Sequence, residues 1–339
     1  MQTPEIVTLD PLNAETPWEA LVPDVTPTRA FYVRGHYAIP RLDARDWRLK
    51  LEGAFQHTRV LSLADLKKLP VADVTTVLEC AGNGRTRLAP LPRGTPWGER
   101  AVGCARFRGV RLADALADAA PEKGVKELVF RGADHDKTRH YERSLPLAMA
   151  TDAILAWEMN GEPLTPEHGA PVRLVVPGWF AMASVKWLES VRASREPFTG
   201  FYQTDEYVLG EIPLREMRVK SMIVSPSPGV AAPLGDIALQ GKAWSGKGAI
   251  VRVEVSADAG QSWLDARVET SRAPHAWQSW DVTWRPTRPG KHVLLARATD
   301  EAGRVQPIAP EWNRLGYANH AAIPHPLVIT GPKALPSQP

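Results

Sequence analysis

The stretch Thr75-Thr76-Val77-Leu78-Glu79-Cys80-Ala81-Gly82-Asn83-Gly84-Arg85 carries an apolar strand into a turn of small residues. Val74 to Leu78 is β-branched and apolar, the pattern of a buried strand. It delivers Cys80 to a turn where Ala81 and Gly82 leave room for a bulky group near the backbone. Arg85, with Arg87 beyond it, brings positive charge that favours thiolate over thiol and attracts an anion. A soft thiolate suits a thiophilic metal. On these residues alone two readings stand, a metal ligand and a structural cysteine, because free cysteine is among the most buried residue types.

Outward from this turn the chain mixes helix and strand. Asp46 to Leu51 reads as a strand that Gly53 interrupts. Ser62 to Leu69 reads as a short helix: Ser62 caps it, Leu63, Leu66 and Leu69 share a face, and Pro70 stops it. Val110 to Ala119 reads as a second amphipathic helix and Glu127 to Phe130 as a strand. Further strands are expected at Val172 to Val176 and Ala183 to Val191, on either side of Pro177-Gly178. Without the regular alternation of a doubly wound sheet, this part is expected to be α+β. Near Val219 the character changes, and Ser225-Pro226-Ser227-Pro228-Gly229 forms a turn-rich junction. Beyond it, Val251, Val253 and Val255 alternate with Arg252 and Glu254. Asp258-Ala259-Gly260 turns the chain toward a hairpin partner that begins at Trp263. Trp280, Val282 and Trp284 alternate again, as do Val293, Leu295 and Arg297. Short alternating strands describe an antiparallel, immunoglobulin-like sandwich. The expected organisation is two domains, residues 1–220 and 221–339, with a boundary set to within about 10 residues.

A chain of 339 residues suits two domains. The composition, 44% hydrophobic and 23% charged, is that of a folded protein, and a net charge of +3 with interleaved signs gives no phosphate-tracking stripe for nucleic acid. No apolar run approaches the ~20 residues of a membrane-spanning helix, so no membrane partner is expected. Met1 to Asp10 is acidic and polar where a signal peptide has a basic end and an apolar stretch. The expected location is therefore cytoplasmic, or periplasmic if a leader is removed from a longer precursor. With two cysteines, Cys80 and Cys104, a four-cysteine zinc site is impossible, and a disulfide is the weaker reading in a cytoplasmic protein.

Two motifs tempt and fail. Gly241-Lys242-Ala243-Trp244-Ser245-Gly246-Lys247-Gly248 nearly matches a phosphate-binding loop. Gly248, however, takes the hydroxyl position, and a strand follows where a helix must open. It reads as a sandwich loop. His135 and His140 flank a charged segment but have no third ligand beside them, so a solvated loop is the better reading than a metal site.

The cysteine stretch Leu78-Glu79-Cys80-Ala81-Gly82-Asn83 with Arg85 resembles the cysteine motif of the sulfite oxidase and assimilatory nitrate reductase family. Other segments resemble that family in its own order. Phe31-Tyr32-Val33-Arg34-Gly35-His36 resembles its F-x-R-N-H segment, with Gly35 in place of asparagine. Trp97 and Ala101-Val102-Gly103-Cys104-Ala105-Arg106-Phe107-Arg108-Gly109-Val110 resemble the stretch after the cysteine. Trp157-Glu158-Met159-Asn160-Gly161-Glu162-Pro163-Leu164 is followed by His168-Gly169-Ala170-Pro171-Val172-Arg173. Then come Val175-Val176-Pro177-Gly178, Ser184-Val185-Lys186-Trp187-Leu188, Tyr202-Gln203 with Tyr207, and Trp312-Asn313-Arg314-Leu315-Gly316-Tyr317.

The resemblance implies a molybdenum–molybdopterin cofactor, with Cys80 as the protein's ligand to the metal beside the two dithiolene sulfurs. It implies that Arg34, Arg85 and Tyr207 line the oxyanion pocket and that Trp97 forms part of its wall. His36, Asp134, His168, Arg173, Ser184 and Lys186 would hold the pterin and its phosphate. Arginine presents a planar fork that matches oxyanions, and lysine and histidine suit phosphate. Singly, each has an ordinary alternative: His168 as a turn residue, Arg173 or Lys186 as a strand-end charge. The implied reaction is oxidation of sulfite to sulfate by oxygen-atom transfer, with electrons passed to an external acceptor such as a cytochrome, a small molecule or oxygen. Neither a haem nor a flavin is expected in this chain. Gly84 stands where the animal enzymes carry an additional arginine, which predicts a less positive or wider pocket. Pro324-His325-Pro326 replaces a basic residue, so a third substrate arginine is not implied. The alternatives are a molybdopterin reductase of an S-oxide such as methionine sulfoxide or of nitrate, and a binding protein that kept the fold without turnover. The second domain resembles the family's dimerisation module and predicts a homodimer.

Overall fold

In the computed structural model, which describes residues 3–150 and 152–331, the strand entering the cysteine turn runs Val71–Glu79. Its outer half is partly exposed and its inner half buried, so it drives Glu79 and Cys80 into the interior. It pairs antiparallel with Val102–Arg111, from Val71 opposite Val110 to Glu79 opposite Val102. That strand pairs in turn with Ile154–Met159, which also takes Glu162–Pro163 and Arg173–Val175. A second sheet runs in the order Arg59–Ser62, Arg48–Gly53, Leu188–Ser194, Glu127–His135, His140–Pro146. Leu49, Val77, Val110, Phe130, Leu155 and Leu188, drawn from both sheets, belong to one continuous core. A small sheet of Glu5–Leu9, Leu12–Glu15 and Val33–Arg34 carries Arg34.

Helix is scarcer than the α+β expectation. The α-helices among the described residues are Leu63–Leu66, Leu112–Leu116 and Phe201–Thr204. The first has the expected cap: Asp65 N donates to Ser62 Oγ at 3.2 Å while Ser62 N donates to the Asp65 carboxylate at 3.1 Å, a reciprocal box. The second starts later than expected, because Val110 and Arg111 are held in the ladder opposite Leu155 and Ile154. The strand expected over Ala183 to Val191 is also broken. Ala181–Ala183 is a 3-10 turn, Trp187 sits at φ +49°, and the strand is Leu188–Ser194. A left-handed residue cannot continue a ladder, and the freed segment instead lends Ser184 and Lys186 to a cavity.

Beyond residue 219 every regular element of the described chain is a strand, and the long stretch 301–324 is irregular. Lys220–Ser225, Ile237–Trp244, Gln278–Trp284 and Arg267–Val268 make one sheet. Ala231–Pro233, His325–Thr330, Gly290–Asp300, Ile250–Ser256 and Leu264–Asp265 make the other. Ile223, Leu239, Val253, Trp280 and Leu294 fill the core they share. One expected face is corrected and the inward face of another strand is settled. Val251 is 59% exposed because the pairing with Gly290–Asp300 slips between Ile250 and Arg252 and turns it outward. In the partner strand Leu294, Ala296 and Ala298 join the core while Val293 is exposed, so the alternation of Val293, Leu295 and Arg297 runs along the other face, where Leu295 is still buried. The last residues of the expected second domain, 332–339, lie outside the described residues. No helix among the described residues is long and apolar enough to cross a membrane.

Candidate functional site

The cysteine turn is fixed from both sides. Cys80 N donates to Ala101 O at 2.9 Å, Asn83 N donates to Cys80 O at 2.9 Å, and Ala101 N donates to the Asn83 side-chain oxygen at 3.0 Å. Cys80 is 5% exposed. Burial pushes its thiol up, against the pull of Arg34, of the Gly82 backbone amide and then of Arg85. The sequence expectation that nearby arginines favour thiolate is thus reversed in net effect, because taking the charge out of water outweighs them. A bound metal deprotonates such a thiol outright.

Two cavities meet at Cys80, and Arg34, His36 and Tyr207 face both. The inner one, about 60 Å³, is lined by His36, Asp134, His168, Arg173, Ser184 and Lys186 among others. The outer one, about 490 Å³, is lined by Arg85, Arg93, Trp97, Glu206 and Tyr317 as well as the shared residues.

The inner cavity concentrates positive charge. Arg173 is 5% exposed and donates to His168 O at 3.0 Å and Ser184 O at 3.2 Å, with the ring of Phe107 5.5 Å away. Lys186 Nζ donates to Glu167 O at 2.8 Å and lies over the Trp187 ring. Arg34 donates to the Asn13 side chain and to Gly35 O. Among the described residues none of these three cations makes an ion pair with a carboxylate. Burial is the leading cause that lowers Arg173 to about 10 and Lys186 below the ordinary lysine range, and it raises Asp134. His168 donates from Nε2 to Thr28 O, since a carbonyl only accepts, and burial holds its pKa down to about 4. His36 is also held well below the usual range by burial, then by Arg34 and Lys186. Gly169, at φ +98°, is needed here: a Cβ would lie 2.9 Å from the Lys186 Cβ.

Asp134 offsets only part of the charge of Arg34, Arg173 and Lys186, and burying the rest is costly, so such a lining fits an anionic guest. A soft thiol, two guanidiniums, an ammonium and two imidazoles suit a metal held by sulfur next to a phosphate-bearing organic group.

The outer cavity differs in character. Arg85 spends three donors on the protein: Nε and one terminal nitrogen donate to Leu315 O, at 3.3 and 3.0 Å, and the other donates to Thr95 O at 2.6 Å. Guanidinium carries five N–H groups, so two remain for a guest. Tyr207, at φ +55° and 3% exposed, lies with its hydroxyl 2.5 Å from His36 Nε2 and its ring stacked on Tyr317 at 5.0 Å. Such a backbone in a non-glycine residue is sparsely populated and marks a constrained position. Trp97 is wholly buried in the wall.

Every residue to which the resemblance gave a role at the metal, the cofactor or the substrate therefore lines one cavity or the other. Gly84 lines neither; a Cβ on it would meet Glu99 and Asn319. His325 also lies elsewhere, its Nε2–H donating to Pro226 O at 2.9 Å. Residues without an expected role join the site. Tyr141 stacks on His36 at 4.4 Å, Asn13 holds Arg34, and Glu206 bonds the Tyr317 hydroxyl at 2.6 Å and Arg93 at 2.8 Å. Tyr317 ends a tail segment that had matched the family, which was the signal available for it. Asn13 had none. His135 and His140 face each other across their strands at 4.6 Å, and no cluster of three metal-ligating side chains occurs among the described residues. Lys242 to Gly248 is a strand end and turn, with Ser245 bonded to Asp300 at 2.8 Å. Cys80 and Cys104 are both free and buried.

Residues 36–202 match the family described as oxidoreductase molybdopterin binding domain, and residues 211–323 match the Mo-co oxidoreductase dimerisation domain. The chain is 37% identical to the sulfite oxidase of Gallus gallus, covering 92% of this chain and 75% of that one. It is 33% identical to the sulfite oxidase of Arabidopsis thaliana, covering 91% and 90%. Against the mitochondrial sulfite oxidase of Mus musculus it is 36% identical and spans 63% of that protein's length. Among solved structures, the sulfane dehydrogenase SoxCD from Paracoccus pantotrophus superposes with a TM-score of 0.83 at 31% identity, covering 92% of this chain and 83% of that one. With this cysteine turn, its cationic cavity and these relatives, the chain belongs to the sulfite oxidase family of molybdopterin-binding oxidoreductases.

Proposed function

We propose that the protein oxidises sulfite to sulfate and passes the electrons to an external acceptor. The observation that carries this reading is the meeting of the two cavities at Cys80, one lined by unpaired buried cations and the other open and flanked by arginines. In this reading Cys80 ligates the metal, while His36, Asp134, His168, Arg173, Ser184 and Lys186 hold the pterin and its phosphate. When bound, the molybdenum cofactor supplies oxygen-atom transfer and takes up two electrons. The protein's part is to bind and orient. Arg34, at the junction, and the two free N–H groups of Arg85 offset the charge of the dianion and aim it inward. Tyr207 and Trp97 narrow the approach, and the neutral His36 keeps the Tyr207 hydroxyl in place.

The second set of sheets is read as an immunoglobulin-like dimerisation domain, with the chain divided into residues 1–220 and 221–339 and the protein a homodimer. The match over residues 211–323 and the change of core near Val219 support this division. The location is read as cytoplasmic, which fits two free thiols.

Metal and pterin analysis of the purified protein, followed by sulfite-dependent reduction of ferricyanide, tests the function. Protein that holds molybdopterin yet ignores sulfite removes the substrate and keeps the cofactor. A second substrate class, a sulfane sulfur, is favoured by the likeness to the sulfane dehydrogenase and by an outer cavity far larger than sulfite needs. Thiosulfate assayed beside sulfite separates the two.

A further inference from the structure

We propose that Lys220 is a positioning residue for the cysteine turn and acts on it from the second set of sheets through Glu79. Lys220 and Trp244 stand opposite each other in the pairing of Lys220–Ser225 with Ile237–Trp244. Both reach the carboxylate of Glu79, the residue before Cys80. Lys220 Nζ lies 3.1 Å from one oxygen, and Trp244 Nε1 donates to the other at 2.9 Å. The oxygen next to Lys220 also accepts from Asn83 Nδ2 at 3.0 Å, so the turn hangs from the carboxylate at its near end. The far end is tied to the same ammonium. Lys220 Nζ donates to Asn319 O at 3.1 Å, and Asn319 Nδ2 donates to Gly84 O at 2.8 Å.

The cluster is dry. Lys220 is 1% and Glu79 2% exposed. A second carboxylate, Glu99, lies 3.7 Å from Lys220 and 3.4 Å from Arg87, and its buried oxygens accept no hydrogen bond. Lys220 therefore offsets Glu79 and shares Glu99 with Arg87 under the turn. Removing it leaves Glu79 uncompensated in the interior, a state relieved by admitting water or by moving the turn. The displacement would reach Arg85 as well. Ala318 N donates to Ala81 O at 2.7 Å, and Leu315 O accepts from Arg85, so the segment that Lys220 anchors at Asn319 also holds Ala81 and the substrate-facing arginine. Packing alone predicts no such specificity, since methionine fills nearly the volume of lysine.

The inference rests on the assignment of Cys80 and Arg85 in the proposed function, and one readout is independent of that assignment. In cofactor-free full-length protein, iodoacetamide labelling of Cys80, resolved from Cys104 by peptide mass, reports how often the turn opens. Lys220→Met is expected to raise the Cys80 labelling rate about tenfold or more. In the cofactor-loaded enzyme it should raise the KM for sulfite more than it lowers kcat. Adding Glu79→Gln, which removes the stranded charge, should return both readouts most of the way. Lys220→Gln is read in the same way should the methionine variant fail to fold. Wild-type labelling and KM in a folded but less stable Lys220 variant would overturn the proposal, as would changes that Glu79→Gln leaves in place. Wild-type protein devoid of molybdenum would instead remove the proposed function, and the labelling rates would still decide the role of Lys220.

Discussion

The cationic cavity has a consequence for acid stability that can be worked from His168. Its ring is 6% exposed and its Nε2–H is committed to Thr28 O, so the folded protein holds it neutral, with a pKa of about 4 against the 6.5 of an ordinary histidine. The leading cause is burial, followed by Lys186. A base with a lowered folded pKa binds fewer protons folded than unfolded, so acid favours the unfolded chain. The contribution costs nothing above pH 6.5, grows as pH falls, and is complete below pH 4. At about 1.4 kcal/mol per unit, the full cost is roughly 3.4 kcal/mol, and at pH 5 it is about 2 kcal/mol. Urea unfolding of cofactor-free protein, followed by tryptophan fluorescence at pH 7 and pH 5, measures it. Glutamine at this position can still donate to Thr28 O but does not titrate. His168→Gln should therefore lose about 2 kcal/mol less stability than wild type between the two pH values. Equal losses in the two proteins would refute the claim that a buried neutral His168 sets the acid limit.

Cys80→Ser should leave the fold intact but abolish turnover and bound molybdenum, because a hydroxyl is a poor substitute for a soft thiolate; molybdenum analysis beside the sulfite assay checks it. Arg34→Gln removes a charged fork facing the junction of the cavities and should raise the KM for sulfite by about 10- to 100-fold, read from initial rates. Lys186→Met should separate two measurements. It should leave the stability of cofactor-free protein nearly unchanged, since it removes a buried cation together with its attraction to Asp134, while lowering pterin content in the purified enzyme. Sedimentation at micromolar concentration should give twice the chain mass; a monomer mass would count against the dimer.

Much of the site was legible because its signals are local. A β-branched run ending in Cys80, a turn of small residues and an arginine just beyond are close in sequence, and the strand Val71–Glu79 and its turn form where those residues place them. Arg34, His168, Arg173, Lys186 and Tyr207 were picked out by their order along the chain, and the fold brings them to the same cavities. Periodicity fixes which residues share a face but leaves open which face looks inward. That is why Val293 and Leu295 alternated as expected and yet Leu294 and Ala296 are the residues of the core. A single slip in pairing turned Val251 out, and pairing is a property of two strands.

What only the tertiary structure decided lies in contacts between distant segments. Leu315, 230 residues from Arg85, takes up two of its donors and so limits what that arginine offers a substrate. Lys220 reaches Glu79 across 141 residues. The state of Cys80 was decided in the same way. Its sequence neighbours argue for thiolate, but the surrounding chain removes water, and desolvation outweighs the arginines until a metal arrives. The sequence by itself determined which chemistry stands at each position. The packing of far-apart strands set its charge, its spare hydrogen bonds and what holds it in place, because those depend on neighbours that no local stretch contains.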